Sequence, residues 1–242
     1  MAINFKEIQM IFRVLVIALA VTLTACGTVS DVKSQNSLDD NIKVTAKENS
    51  GKCVIHVSGD ITSKLQPLIE KEMETFSTRD CTEKIINLNS RGGHGFAAES
   101  IGRLIRLNDY KTQVSLGSIC SSACGFIFIG GIERIIEVSR YSSRHNAYKP
   151  PPQFGFHSPR VSGADKSDIK NCITAQENSN LVDSKFEKVQ LRIYNYAIQM
   201  LGKESGIIFA QSVFQIKCAE MIFASPQGLL ETKIATTILK AS

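Results

Sequence analysis

The chain has 242 residues, 43% of them hydrophobic, and a net charge of +5 from 28 Lys and Arg against 23 Asp and Glu. That apolar content excludes disorder over the whole length, and the length accommodates one domain with a substantial core. The Lys and Arg residues are scattered, without a basic cluster or basic–aromatic interleaving, so the charge reads as a solvated surface and no nucleic acid is expected as a partner.

At the N-terminus, Lys6 and Arg13 flank a short polar stretch, and Val14 to Ala25 is almost wholly apolar, closing on Leu23-Thr24-Ala25-Cys26. A membrane span needs about 20 apolar residues, so this shorter run reads as the apolar region of a signal peptide. Small residues before a cysteine resemble the lipobox of bacterial lipoproteins. The resemblance implies a signal peptide over residues 1–25, cleavage before Cys26 and lipid on its thiol. It implies a protein of the bacterial cell envelope facing the periplasm, in contact with a membrane through that lipid. Gly27, where Asp would favour the inner membrane, favours the outer one. An ordinary secretory signal with an incidental cysteine is the alternative. Residues 26–50, rich in Ser, Asn, Asp, Lys and Thr and poor in aromatics, read as a flexible tether. Residues 51–242 then form a single domain.

Within that domain strands alternate with helices. Cys53–Ile61 is β-branched and strand-like, and Lys64–Phe76 carries Leu65, Leu68, Ile69, Met73 and Phe76 at helical spacing. Ile85–Leu88 is a short strand, and Phe96–Leu107 a helix that follows Gly92-Gly93. Val114–Leu116 is a third strand, leading into a helix over Ser122–Ile129; Ile132–Val138 is a fourth. Ser142–Gln153, with three successive prolines, is a loop, and Phe154–His157 a fifth strand. Asn178–Leu201 is a long helix and Ser205–Phe214 another. This alternation predicts parallel α/β layering.

Seven cysteines less the lipid-bearing Cys26 leave Cys53, Cys81, Cys120, Cys124, Cys172 and Cys218. An even number in an oxidising compartment predicts up to three disulfides, with fifteen connectivities. Cys53 opens the first strand and Cys81 precedes the second, which pairs them. Cys120 and Cys124 are awkward partners on one helical turn, so they are expected to reach Cys172 and Cys218. The spacings lack Cys-x2-Cys and the histidines are dispersed, so no metal is expected.

Three segments carry the parts of an acyl-transfer site: Leu88-Asn89-Ser90-Arg91-Gly92-Gly93, Cys120-Ser121-Ser122-Ala123-Cys124 and Phe156-His157-Ser158-Pro159. Serine is a weak nucleophile unless a base accepts its proton. Ser122, at a strand-to-helix turn, is the candidate nucleophile, and His157, after a strand, the candidate base. The oxyanion needs backbone N–H donors that approach closely, which Gly92 or Gly93 with Ala123 would supply. Ser121 is a rival nucleophile and His94 a rival base; His56 and His145 look structural or loop-borne. Equally, Ser122 could be a small residue at a tight helix start, His157 a core histidine and Gly92-Gly93 only a turn.

In this order, together with Gly59-Asp60-Ile61, these motifs resemble the Clp protease proteolytic subunit, and more closely exported Clp-like or signal-peptide-peptidase-like proteins of the periplasm. The resemblance runs from about Lys52 to Leu239. It implies an α/β fold, a ClpP/crotonase-like superhelix of repeated β-β-α units in a single domain. It implies a serine peptidase without cofactor that takes a peptide or protein substrate, with a homo-oligomer as a further candidate. Glu220, before Phe223-Ala224-Ser225-Pro226, falls where that family has the aspartate that orients the imidazole, with Asp168 and Asp183 behind it. Arg91 stands where the family has proline, and the loop before His157 is longer. An inactive scaffold on the same fold, an acyl-ester hydrolase and a crotonase-like binder of CoA thioesters are the competing readings; CoA is scarce outside the cytoplasm, which disfavours the last.

Overall fold

The computed structural model describes residues 41–139, 152–159, 184–216 and 220–241. Cys26, His145, Asp168, Cys172, Asp183 and Cys218 lie outside the described residues, as do the signal peptide and the tether up to residue 40.

The chain enters through β1 (Lys43–Asn49), which turns back on β2 (Lys52–Ser58) as an antiparallel hairpin. Ser50 and Gly51 both have positive φ, +50° and +78°, the backbone hand that matches strand twist in two-residue hairpins. The tether predicted up to Ser50 therefore ends earlier. β1 is polar because it is an edge strand, and only Val44 and Ala46 lean on the core.

β2 buries every second residue, Cys53, Ile55 and Val57, the signature of a sheet with one covered face. α1 (Leu65–Phe76) covers it with Leu65, Ile69 and Phe76. β3 (Glu83–Asn89) follows, then α2 (Gly95–Leu107), β4 (Lys111–Val114), the three-residue β5 (Ile119–Ser121) and α3 (Cys124–Ile129), all six residues of which are buried. β6 (Arg134–Ser139), β7 (Gln153–Phe156), α4 (Ser184–Leu201), α5 (Lys203–Phe214), β8 (Ile222–Ala224), α6 (Pro226–Glu231) and β9 (Thr237–Ala241) complete the described elements.

A six-stranded sheet runs β1-β2-β3-β4-β6-β9, parallel from β2 onward. A second sheet, β5-β7-β8, sits beyond its strand ends. Single bridges extend it, Ile61 to Gly93 and Ser90 to Cys120. Each turn of chain thus gives one strand to the large sheet, a short stretch to the small one, and a helix. This is the repeated β-β-α superhelix, the predicted fold class.

The core between the layers is aromatic where it backs the small sheet. Phe128 meets Phe154 at 5.0 Å between ring centroids, Phe154 meets Phe156 at 5.3 Å, and Phe209 meets Phe156 at 5.6 Å and Phe126 at 5.8 Å. These rings lock α3, β7 and α5 together. Tyr196, fully buried on α4, donates its hydroxyl hydrogen to the Phe126 carbonyl at 2.7 Å. Arg106 donates to the carbonyls of Ile129, Gly130 and Gly131, and the buried Arg134 also donates to Gly131. Two cations thereby satisfy the carbonyl end of α3 and complement its dipole.

Candidate active site

Cys53 and Cys81 are disulfide-bonded, as the sequence predicts. Cys120 and Cys124 are bonded to each other and not to Cys172 and Cys218. The correction has a simple cause. The expectation put both cysteines on one helical turn, but Cys120 lies on β5 and Cys124 opens α3. The reversal between them brings their Cα atoms to 5.2 Å, inside the range a disulfide accepts.

Ser122 is the apex of that reversal, with φ +56°. A left-handed backbone at a residue bearing Cβ costs about 1–3 kcal/mol and persists only where its surroundings impose it. The surroundings are explicit. The Ser122 N–H donates to the Gly155 carbonyl at 2.9 Å, Gly125 N–H donates to the Ser122 carbonyl at 3.0 Å, and the disulfide closes the turn. Ser121, the rival nucleophile, is buried and donates its hydroxyl to the Arg91 carbonyl at 3.1 Å, a structural role. Ser122 is partly exposed.

The glycine turn lies against this apex. A Cβ on Gly92 would stand 2.7 Å from Ser122 Cβ and 3.0 Å from the Ala123 nitrogen. Its φ of +109° and that of Gly93, +141°, are glycine conformations. The Gly92 N–H is taken by the hydroxyl of Ser90, which is buried, at 3.0 Å. The N–H groups of Gly93 and Ala123 donate to no acceptor among the described residues. Of the alternatives the sequence offers, Gly93 with Ala123 is the pair of available donors. Ser90, inside the Asn89-Ser90-Arg91-Gly92-Gly93 motif, braces the glycine turn from its buried position, a part that motif order alone does not mark.

β7 ends at the neighbouring strand end, just before His157. β5 and β7 are parallel, with Ser121 opposite Gly155, so Ser122 and His157 leave adjacent strands one and two residues beyond that pairing. Phe154 and Phe156 turn into the aromatic core, and Gly155 between them faces the other way. On Gly155 a Cβ would meet Ser121 Cβ at 3.0 Å and Met221 Sδ at 2.7 Å. His157 Nδ1 stands 2.6 Å from the Ser158 carbonyl oxygen. A carbonyl only accepts, so Nδ1 carries the proton and Nε2 is the basic nitrogen. Ser158 is fully buried and donates its own hydroxyl to the Ile216 carbonyl, which anchors the segment to the end of α5.

Glu220, expected to orient the imidazole, is solvent-exposed. The orienting acceptor at Nδ1 is the Ser158 carbonyl. His94 caps α2, its Nδ1 accepting the Ala97 N–H at 3.2 Å. His56 sits half-buried on β2, where burial and Lys47 lower its pKa. Among the described residues no three His, Cys, Asp or Glu side chains converge as a metal site.

No family profile matches this chain, and no curated protein matches it by sequence. Solved structures do. ClpP1 from Listeria monocytogenes aligns with 78% of this chain and 92% of its own, at a TM-score of 0.53 and 16% identity. A mutant of the 1510-N membrane-bound stomatin-specific protease aligns with 78% of each chain, at 0.51 and 15%. A second mutant of that protease, in complex with a substrate peptide, aligns with 78% of this chain and 74% of its own, at 0.51 and 15%. At these identities the likeness establishes the fold: the chain has the ClpP fold.

Proposed function

We propose that the protein is a serine-type hydrolase acting on peptides or proteins, held at the bacterial cell envelope by lipid on Cys26 and facing the periplasm. The observation that carries the reading is the left-handed Ser122 at a strand-to-helix turn, pressed against Gly92, with His157 directly after the strand paired to the one that precedes Ser122. That the ClpP fold is shared with two proteases supports it.

In this reading the Ser122 hydroxyl oxygen attacks the scissile carbonyl while His157 Nε2 takes its proton. The N–H groups of Gly93 and Ala123 receive the oxyanion, and the loss of one such donor typically raises the barrier by about 3–4 kcal/mol. The imidazolium then protonates the leaving amine, and water, deprotonated by the same nitrogen, releases the acyl group. The Ser158 carbonyl at Nδ1 fixes the tautomer that leaves Nε2 free to take the proton.

The exposure of Glu220, the residue expected to orient the imidazole, favours as second reading a non-catalytic binding lipoprotein. A fluorophosphonate probe on the full chain in mild detergent, followed by peptide mapping, separates the two. Labelling at Ser122 that disappears in Ser122→Ala and His157→Ala supports the hydrolase. Absence of labelling in the folded, oxidised protein supports the binding protein. A labelled protein that turns over small esters but never peptides would be an acyl-ester hydrolase.

A further inference from the structure

The Cys120–Cys124 bridge spans only four residues, and the residue at its centre is Ser122. Both cysteines are completely buried. Cys120 is also the residue that bridges to Ser90, at the root of the glycine turn. Across the bridge, Cys124 opens the helix whose far end is held by Arg106 and Arg134. The disulfide therefore joins the two rigid bodies between which Ser122 is suspended. It lies at the opposite end of β3 from Cys53, which pairs with Lys84 at the start of that strand. Seven residues of strand put the two bridges about 20 Å apart.

We propose that Cys120 and Cys124 are positioning residues for the nucleophile: their disulfide holds Ser122 in its left-handed conformation against Gly92, so the site is competent only when this bond is oxidised. The inference rests on the hydrolase reading for its effect on activity, and on geometry alone for its effect on the turn. The reason is conformational. A residue with Cβ leaves the left-handed region when its flanks are free to relax. The hydrogen bond from Ser122 N–H to Gly155 is one bond at a strand end, whereas the disulfide fixes both flanks covalently. Cleaving it takes two electrons and two protons from a dithiol, which closes to its own disulfide as two thiols form.

The test uses full-length protein in detergent, comparing wild type with the double variants Cys120→Ala/Cys124→Ala and Cys53→Ala/Cys81→Ala. Two quantities are read: the rate of fluorophosphonate labelling at Ser122, and amide hydrogen exchange in peptides covering Ser118–Phe126. Without the Cys120–Cys124 bridge, labelling falls by about tenfold or more, in line with the cost of a small misplacement, and exchange across Ser121–Gly125 rises. The Cys53–Cys81 control loses stability but labels Ser122 at the wild-type rate. Reducing wild type with a dithiol reproduces the loss, and reoxidation restores it. Labelling of Cys120→Ala/Cys124→Ala within twofold of wild type, or unchanged exchange across the turn, overturns the proposal. Should wild type itself never label, the hydrolase reading fails and exchange alone decides: faster exchange confined to the turn upholds the bridge's role, and unchanged exchange ends it.

Discussion

Gly92→Ala tests the site at its tightest point. The new Cβ would lie 2.7 Å from Ser122 Cβ and 2.8 Å from the Ser121 carbonyl oxygen. Neither is the end of a flexible side chain, so no rotamer change relieves the overlap. The φ of +109° adds about 1–3 kcal/mol of backbone strain, and overpacking a filled site adds about 1–3 kcal/mol. The sum, about 2–6 kcal/mol, is a large share of the roughly 5–15 kcal/mol by which domains are stable. At about 2–4 °C per kcal/mol for a chain of this size, Tm falls by roughly 5–20 °C. Restoring van der Waals distance moves the turn by about 1 Å, which in a reacting geometry costs on the order of a hundredfold in rate. The assay is thermal unfolding by circular dichroism beside fluorophosphonate labelling of Ser122 at a temperature where the variant is folded. Gly95→Ala is the control, since its Cβ would meet only the Phe126 ring at 3.7 Å, and alanine is the better helix residue. Wild-type Tm and labelling in Gly92→Ala would refute the close approach of the two turns.

Further expectations concern stability. Removing the Cys53–Cys81 bridge, whose ends are 28 residues apart, costs about 3–4 kcal/mol by the chain-entropy relation, read from the urea midpoint of Cys53→Ala/Cys81→Ala. Tyr196→Phe removes this buried hydrogen bond and destabilises by about 0.5–1.5 kcal/mol in the same measurement. Burial raises the pKa of Glu99 although Arg192 Nε, 2.7 Å from its carboxylate, opposes the shift. The folded state then binds its proton more tightly than the unfolded chain. Its contribution is present below the ordinary carboxylate pKa and is lost as pH rises through the folded value. Glu99→Gln should flatten stability against pH just above the ordinary carboxylate range, and an unchanged slope would exclude Glu99 as its source.

The parts of the fold legible in sequence are those whose burial is periodic. Cys53, Ile55 and Val57 alternate in β2, and the apolar positions of α1 and α2 repeat at helical spacing, so these elements lie within a few residues of their predicted bounds. β1 reads as tether in sequence because an edge strand buries little and therefore looks polar; the Ser50-Gly51 turn is the signal that marks it. β5 and β8 have three residues each, too short for any period to show. β9 and α6 also went unread. In the candidate site, the approach of Gly92 to Ser122 and the pairing of the strands before Ser122 and His157 follow the motif order, because each segment ends a strand of the same superhelix. The Cys120–Cys124 bond does not, since it depends on a left-handed residue between a strand and a helix. The acceptor at His157 Nδ1 does not either, since a backbone carbonyl leaves no mark in sequence.

β6 pairs on one side with β4, about twenty residues earlier, and on the other with β9, where Ile135 faces Thr237. A ribosome delivers these neighbours at very different times. From the moment β6 emerges until roughly a hundred more residues have followed, its far edge has no native neighbour, and an open edge is a template for pairing with another chain. The last of the described strands is thus the one that covers this edge. Deleting or disrupting Thr237–Ala241 should reduce the yield of soluble protein far more than its few residues of buried surface would suggest.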